Sequence, residues 1–132
     1  MKIMISNQTT DPIDENRMRL IAEKVLSGEG FNEAEVSIAF IKKEEMKEIN
    51  NQYRNKNEAT DVLSFLHDGV GLEGTGIIFI GEVLICPSSV FRDELIRVLI
   101  HGLLHLLGYT HELSENEAMR MEEKEDFYLQ LS

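Results

Sequence analysis

Three of the chain's four histidines fall within eleven residues, His101-Gly-Leu-Leu-His105-Leu-Leu-Gly108-Tyr-Thr-His111, and this window constrains both the fold and its chemistry. Residues four apart lie on one face of an α-helix. His101 and His105 therefore project side by side if the apolar segment around them is helical. Gly108 stands where a glycine in the left-handed conformation ends a helix, and a turn there returns His111 towards the same point. Three imidazoles with one coordination position left for water form the pattern of a catalytic zinc site. The alternative is a group of core histidines, because Leu99, Ile100, Leu103, Leu104, Leu106 and Leu107 make the segment apolar on both faces. Each buried imidazole left unpaired would cost about 1–3 kcal/mol, whereas a shared ligand accounts for all three. One zinc ion per chain is the expected cofactor.

The three histidines and the glycine match the peptidase run H-E-x-x-H-x-x-G-x-x-H. The residue after the first histidine is Gly102, where those peptidases carry the glutamate that activates water. The chain thus combines a peptidase-like set of metal ligands with no base at the peptidase position.

Around this window the sequence reads as one 132-residue domain with a single core. Residues 1–6 read as an edge strand and 13–26 as a helix opened by Asp11-Pro12. Residues 35–41 alternate as a strand, and 42–53 form an amphipathic helix with Met46, Ile49 and Tyr53 inward. A polar loop spans 54–60, a short strand 61–66, and a glycine-rich, mobile loop 67–76. The apolar run 77–86 is broken at Gly81-Glu82, as one bulged strand or two short ones. Pro87 opens a helical region that continues through Arg97 into the histidine helix. Ser114 with Glu117 caps a final helix to about residue 130. The expected fold is α+β: a small mixed sheet of about four strands packed with helices, with a zincin-like metal helix backed by the sheet.

The formal charge is −11. Residues 112–132 contribute −5, from Glu112, Glu115, Glu117, Glu122, Glu123, Glu125 and Asp126 against Arg120 and Lys124. This balance excludes a broadly basic nucleic-acid-binding surface, although a bound metal and a few arginines can dominate the field of one cleft. The acidic run reads as a solvated helix face. No apolar stretch reaches a membrane span, and the first residues lack a signal peptide's apolar region. The single cysteine, Cys86, fits a reducing, cytoplasmic setting and a small core residue. Glu82 is a lone acid in an apolar strand, either facing water at an edge or held by a partner. Glu112, beside His111, is the nearest acid in sequence that could orient a ligand; Glu82 and Glu112 are the candidates for that supporting role. Spacing alone makes Arg54 a solvated loop residue, and His67 is assigned no role.

Three stretches then share one resemblance. The histidine run, with Gly102 included, is similar to the HGxLHLxGYxH of the YbeY-type endoribonucleases. Tyr53-Arg54 with Thr60-Asp61-Val62-Leu63-Ser64-Phe65 is similar to that family's YR…TDVLSF, and Gly81-Glu82-Val83-Leu84-Ile85-Cys86 to its G-[DE]-I-x-I-C strand. They occur in the family's order between residues 51 and 111. Thr110 stands where the family often has aspartate, and Ala59 and Leu66 where it often has proline. The resemblance implies a zinc-dependent endoribonuclease, preferring single strands, in small-subunit ribosomal RNA maturation and ribosome quality control. It also implies that Arg54 is the catalytic residue facing phosphate. The implied partners are single-stranded ribosomal RNA and the ribosomal particle or its associated proteins, with no membrane and no DNA. Two other classes remain open on the sequence: a zinc peptidase with a displaced base such as Glu112, and a non-catalytic ribosome-associated factor with structural zinc. A structural site is normally closed by a fourth protein ligand, and no cysteine lies near the window.

Overall fold

The computed structural model of the chain describes residues 1–55, 60–67, 78–91, 94–110 and 114–132. The glycine-rich stretch 68–77, Lys56, Ala59, His111 and Glu112 lie outside them. The elements are strand β1 (Lys2–Asn7), helix α1 (Glu15–Gly28), strand β2 (Ala34–Phe40), helix α2 (Lys43–Arg54), strands β3 (Val62–Leu66) and β4 (Ile78–Ile85), helix α3 (Leu95–Leu106) and helix α4 (Glu115–Leu131).

Among the described residues, four strands form one mixed sheet in the order β1-β2-β4-β3. β1 runs parallel to β2 and β2 to β4, while β3 is antiparallel to β4. The fold is α+β, as the sequence implies. The run broken at Gly81 is one strand with a bulge: Glu35 pairs with Phe79 and Val36 with Gly81, so Ile80 is the extra residue. Only glycine fits there. Its φ is +152°, and a Cβ would come within 2.2 Å of the Phe65 carbonyl oxygen.

Side chains alternate across the sheet, which gives it two apolar faces. On one, Ile3, Val36, Ile38, Phe40, Val83 and Ile85 meet Met18, Ile21, Val25 and Leu26 of α1, the buried face of α3, and Met121 and Tyr128 of α4. On the other, Ala39, Ile41, Leu63, Leu84 and the buried Cys86 are covered by Met46 and Ile49 of α2. Tyr53 is not inward as its spacing suggests. It is exposed and meets Phe65 edge-on, with ring centroids 5.1 Å apart.

Caps explain where the helices differ from expectation. α1 starts at Glu15 rather than Ile13, because the Asp14 carboxylate accepts a hydrogen bond from the Arg17 amide at 3.1 Å. Ser114 caps α4 as anticipated, accepting from the Glu117 amide at 3.1 Å. The helical region expected from Pro87 onward is interrupted. Pro87–Ser89 make one 3₁₀ turn, Val90 is extended at φ −129° and ψ 138°, and α3 begins only at Leu95.

Candidate functional site

α3 lies across β3 and β4 on their shared face, and its sequence dictates which way it turns. Val98, Leu99, Ile100, Gly102, Leu103, Leu104 and Leu106 are buried. His101 and His105, one turn apart, are half-buried on the remaining stripe. Their rings stand edge to face with centroids 4.6 Å apart. The helix ends as the glycine predicts. Gly108 has φ +105°, its amide donates to the His105 carbonyl at 3.1 Å, and the Tyr109 amide donates to the Leu104 carbonyl at 3.0 Å. This double bond pattern turns the chain sharply at the residues leading to His111.

Gly102, the departure from the peptidase pattern, has a packing cause. A Cβ there would lie 2.7 Å from Val83 Cγ1 and 2.9 Å from Val62 Cγ2. The Gly102 carbonyl also accepts a hydrogen bond from Ser64 Oγ at 2.7 Å. The helix thus approaches the sheet closely at the residue where the peptidases carry their base, and a glutamate there would collide with two valines.

Arg54 reaches the same place from another element. It is the last residue of α2, which ends as Asn55 enters the left-handed region at φ 58° and donates its amide to the Asn51 carbonyl at 3.1 Å. Arg54, Asp61, Ser64, His101 and His105 line one open cleft of about 570 Å³. The sequence left Arg54 in a solvated loop on spacing alone, and the structure brings it to the histidine helix. A second recess of about 330 Å³ shares Asp61, Val62 and His101 with the first and continues towards Phe91 and Arg97.

Of the two acids expected to support the ligands, Glu112 lies outside the described residues, as does the third histidine, His111. Glu82 is not brought to the histidines. Val83 meets Gly102 on the α3 face, so its neighbour Glu82 points to the opposite face. There it accepts a hydrogen bond from Ser37 Oγ at 3.3 Å. β4 is also an interior strand, not the edge that a solvated Glu82 would need.

Besides Asp61 in the cleft wall, an acid that bonds a histidine directly is Glu125, only 8% exposed on α4. One carboxylate oxygen bonds His101 Nδ1, and the other accepts from Arg97 Nη1 at 3.3 Å. Arg97 Nη2 also bonds Asp126 at 3.1 Å. Hydrogen bonding to Asp126, against some desolvation, raises the Arg97 pKa, so the guanidinium is firmly charged. The acidic run is therefore not a solvated face throughout. Glu125 shares a buried stripe with Met121 and Tyr128, and an acid at helical spacing within apolar residues was the available signal.

A second carboxylate fixes the turn that leads to His111. Glu29, just after α1, accepts hydrogen bonds from Tyr109 at 2.6 Å, from Tyr128, and from Lys124 Nζ at 3.2 Å. Burial pushes its pKa up, but these three donors outweigh burial and hold the carboxyl below the ordinary carboxylate value.

The described part of the expected donor set would suit a metal ion: two imidazoles sit side by side at an open cleft, and with the Nδ1 of one bonded to a carboxylate, its Nε2 would be the ligating atom.

A family profile described as Endoribonuclease YbeY matches residues 4–131. The chain belongs to the Endoribonuclease YbeY family. The match takes in Arg54, the whole histidine window and Glu125. The chain is 35% identical to the Endoribonuclease YbeY of Sulfurihydrogenibium sp. (strain YO3AOP1), over 95% of its own length and 88% of that protein's. It is 43% identical to the YbeY protein of Thermodesulfovibrio yellowstonii, across 68% of the chain; that match spans 62% of the relative's length. Among solved structures it is similar to the solution structure of TM1509 from Thermotoga maritima, with a TM-score of 0.63 and 28% identity, covering 97% of this chain and 87% of that one.

Proposed function

We propose that the chain is a zinc-dependent endoribonuclease that cuts single-stranded ribosomal RNA during small-subunit maturation and ribosome quality control in the cytoplasm. The observation that supports this reading most is the cleft where Arg54, from the end of α2, shares a wall with His101 and His105 of α3. Membership in a family named for endoribonuclease activity supports the same substrate class. His101, His105 and His111 are the residues that would hold the ion, and zinc bound there supplies Lewis acidity for phosphodiester hydrolysis.

The chain's own residues divide the remaining work. The Arg54 guanidinium is a planar fork of donors that matches two phosphate oxygens, and it faces the charge that grows on them as the phosphorus is attacked. The cleft is open, which suits a flexible strand rather than a duplex. The acidity of the rest of the molecule confines favourable contacts to this cleft and to Lys42, Lys43, Lys47 and Lys56. Delivery by a ribosomal particle or an associated protein therefore supplies the affinity the chain lacks for naked RNA. Among the described residues no helix is long and apolar enough to cross a membrane.

The test is cleavage of a single-stranded ribosomal RNA fragment by the zinc-loaded protein, with casein in parallel. RNA cut with casein intact is the expected result. Casein hydrolysis without RNA cleavage would replace this reading with the peptidase, and neither reaction would replace it with a non-catalytic factor.

A further inference from the structure

Glu125 is a buried acid with an ordered pair of partners, and it belongs to a part of the chain with no evident duty towards substrate. An unpaired carboxylate at 8% exposure would be strongly disfavoured. Here each oxygen has its own partner: Oε1 meets His101 Nδ1, and Oε2 accepts from Arg97 Nη1 at 3.3 Å. Arg97 and His101 are four residues apart on α3, so both lie on the stripe that α4 crosses. Arg97 is held in turn by Asp126 at 3.1 Å and approaches Glu94 at 3.8 Å.

We infer that Glu125 is a positioning residue for metal binding, fixing His101 as the Nδ1–H tautomer with Nε2 aimed at the ion, and that Arg97, bonded to the other carboxylate oxygen, holds Glu125 in place for this. A carboxylate at Nδ1 selects a proton on that nitrogen and leaves the lone pair on Nε2. Free imidazole side chains have no such bias towards Nδ1–H, so the tautomer is imposed by α4. Metal affinity then depends on the docking of a C-terminal helix that contributes no ligand of its own. The inference rests on the zinc reading above.

Zinc affinity is measured by chelator competition for the wild type, Glu125→Ala, Glu125→Gln, His101→Ala and the double variant His101→Ala/Glu125→Ala. The proton position on His101 is read in parallel from ¹H–¹⁵N correlations of the metal-free proteins. Removing a partner of this kind weakens metal binding by about 10–100-fold. Glu125→Ala is expected near the upper end. Glu125→Gln, whose amide oxygen still accepts from Nδ1–H, is expected near the lower end, and it guards against an alanine variant that fails to fold. The Glu125→Ala change should add nothing once His101 is already alanine, because it acts through that ring. His101 should be Nδ1-protonated in the wild type and should lose that preference in Glu125→Ala. A folded Glu125→Ala with wild-type zinc affinity and an unchanged tautomer overturns the inference and leaves the zinc reading standing. A wild type that binds no zinc overturns both.

Discussion

Gly102→Ala puts a number on the close approach of α3 to the sheet. In an exposed helix interior this change stabilises by about 1 kcal/mol, because alanine loses less backbone entropy. Here the new methyl would lie 2.7 Å from Val83 Cγ1 and 2.9 Å from Val62 Cγ2. Both obstacles are β-branched and stiff about χ1, and Val83 sits on an interior strand, so neither yields cheaply. Overpacking costs about 1–3 kcal/mol, and two stiff contacts below 3.0 Å place this site in the upper part of that range, about 2–3 kcal/mol. The strain exceeds the propensity gain, and a net loss of about 1–2 kcal/mol is expected. For a chain of this length that lowers Tm by roughly 3–8 °C. Thermal and urea unfolding of the metal-free protein measure it. Val83→Ala removes the nearer obstacle, so the double variant Gly102→Ala/Val83→Ala should be more stable than the sum of the single effects by about 1 kcal/mol. A Gly102→Ala protein as stable as the wild type, or strict additivity with Val83→Ala, would refute the packing explanation for the missing glutamate.

Three further outcomes follow from the same geometry. The wild type should hold one equivalent of zinc and His105→Ala should not; retention of a full equivalent by that variant removes His105 from the ligand set. Binding to single-stranded RNA should show a shallow log–log salt slope of magnitude about 2–4, since each phosphate contact on a single strand contributes about 0.7, and a much steeper slope with tight binding to naked RNA would contradict the charge argument. The Glu29 carboxyl is held below its ordinary value of 4.5, so its stabilisation is complete above that pH and is lost as the pH falls through the lowered value. Acid titration of unfolding free energy should therefore decline more gently below pH 4.5 in Glu29→Gln than in the wild type, and identical slopes would dismiss the Tyr109–Glu29–Tyr128 cluster as a source of stability.

Local rules carried much of this structure in the sequence. The i, i+4 histidines, the Gly108 turn and the Ser114 cap each depend on residues close in the chain, and each is legible there; Gly81-Glu82 marks a break in its strand, and the pairing with β2 decides for a bulge over two short strands. What was hidden depends on elements distant in sequence. Arg54 reads as a loop residue until α2 is seen to end at the edge of the histidine cleft. Glu82 looks like a site acid until the parity of β4 turns it to the other face, where Ser37 awaits it. Glu125 looks solvated because five other acids surround it between Glu115 and Asp126. Only its place in the Met121 and Tyr128 stripe marks it as buried. Likewise Asp14 took the cap that Asp11-Pro12 suggested, a choice between two nearby start signals that the Arg17 amide decides.

In the proposed reaction Arg54 and a metal held by the histidines act on one phosphate. The most direct measurement is single-turnover cleavage of single-stranded RNA by zinc-loaded wild type, Arg54→Ala and Arg54→Lys, with zinc content determined on the same samples. Loss of a donor that stabilises developing charge slows such a step by about 10²–10³-fold, so Arg54→Ala should fold, keep its zinc and lose nearly all cleavage. Arg54→Lys should recover little, because an ammonium is a point charge and cannot reproduce the fork. Cleavage by Arg54→Ala at the wild-type rate, with zinc fully retained, would contradict the claim.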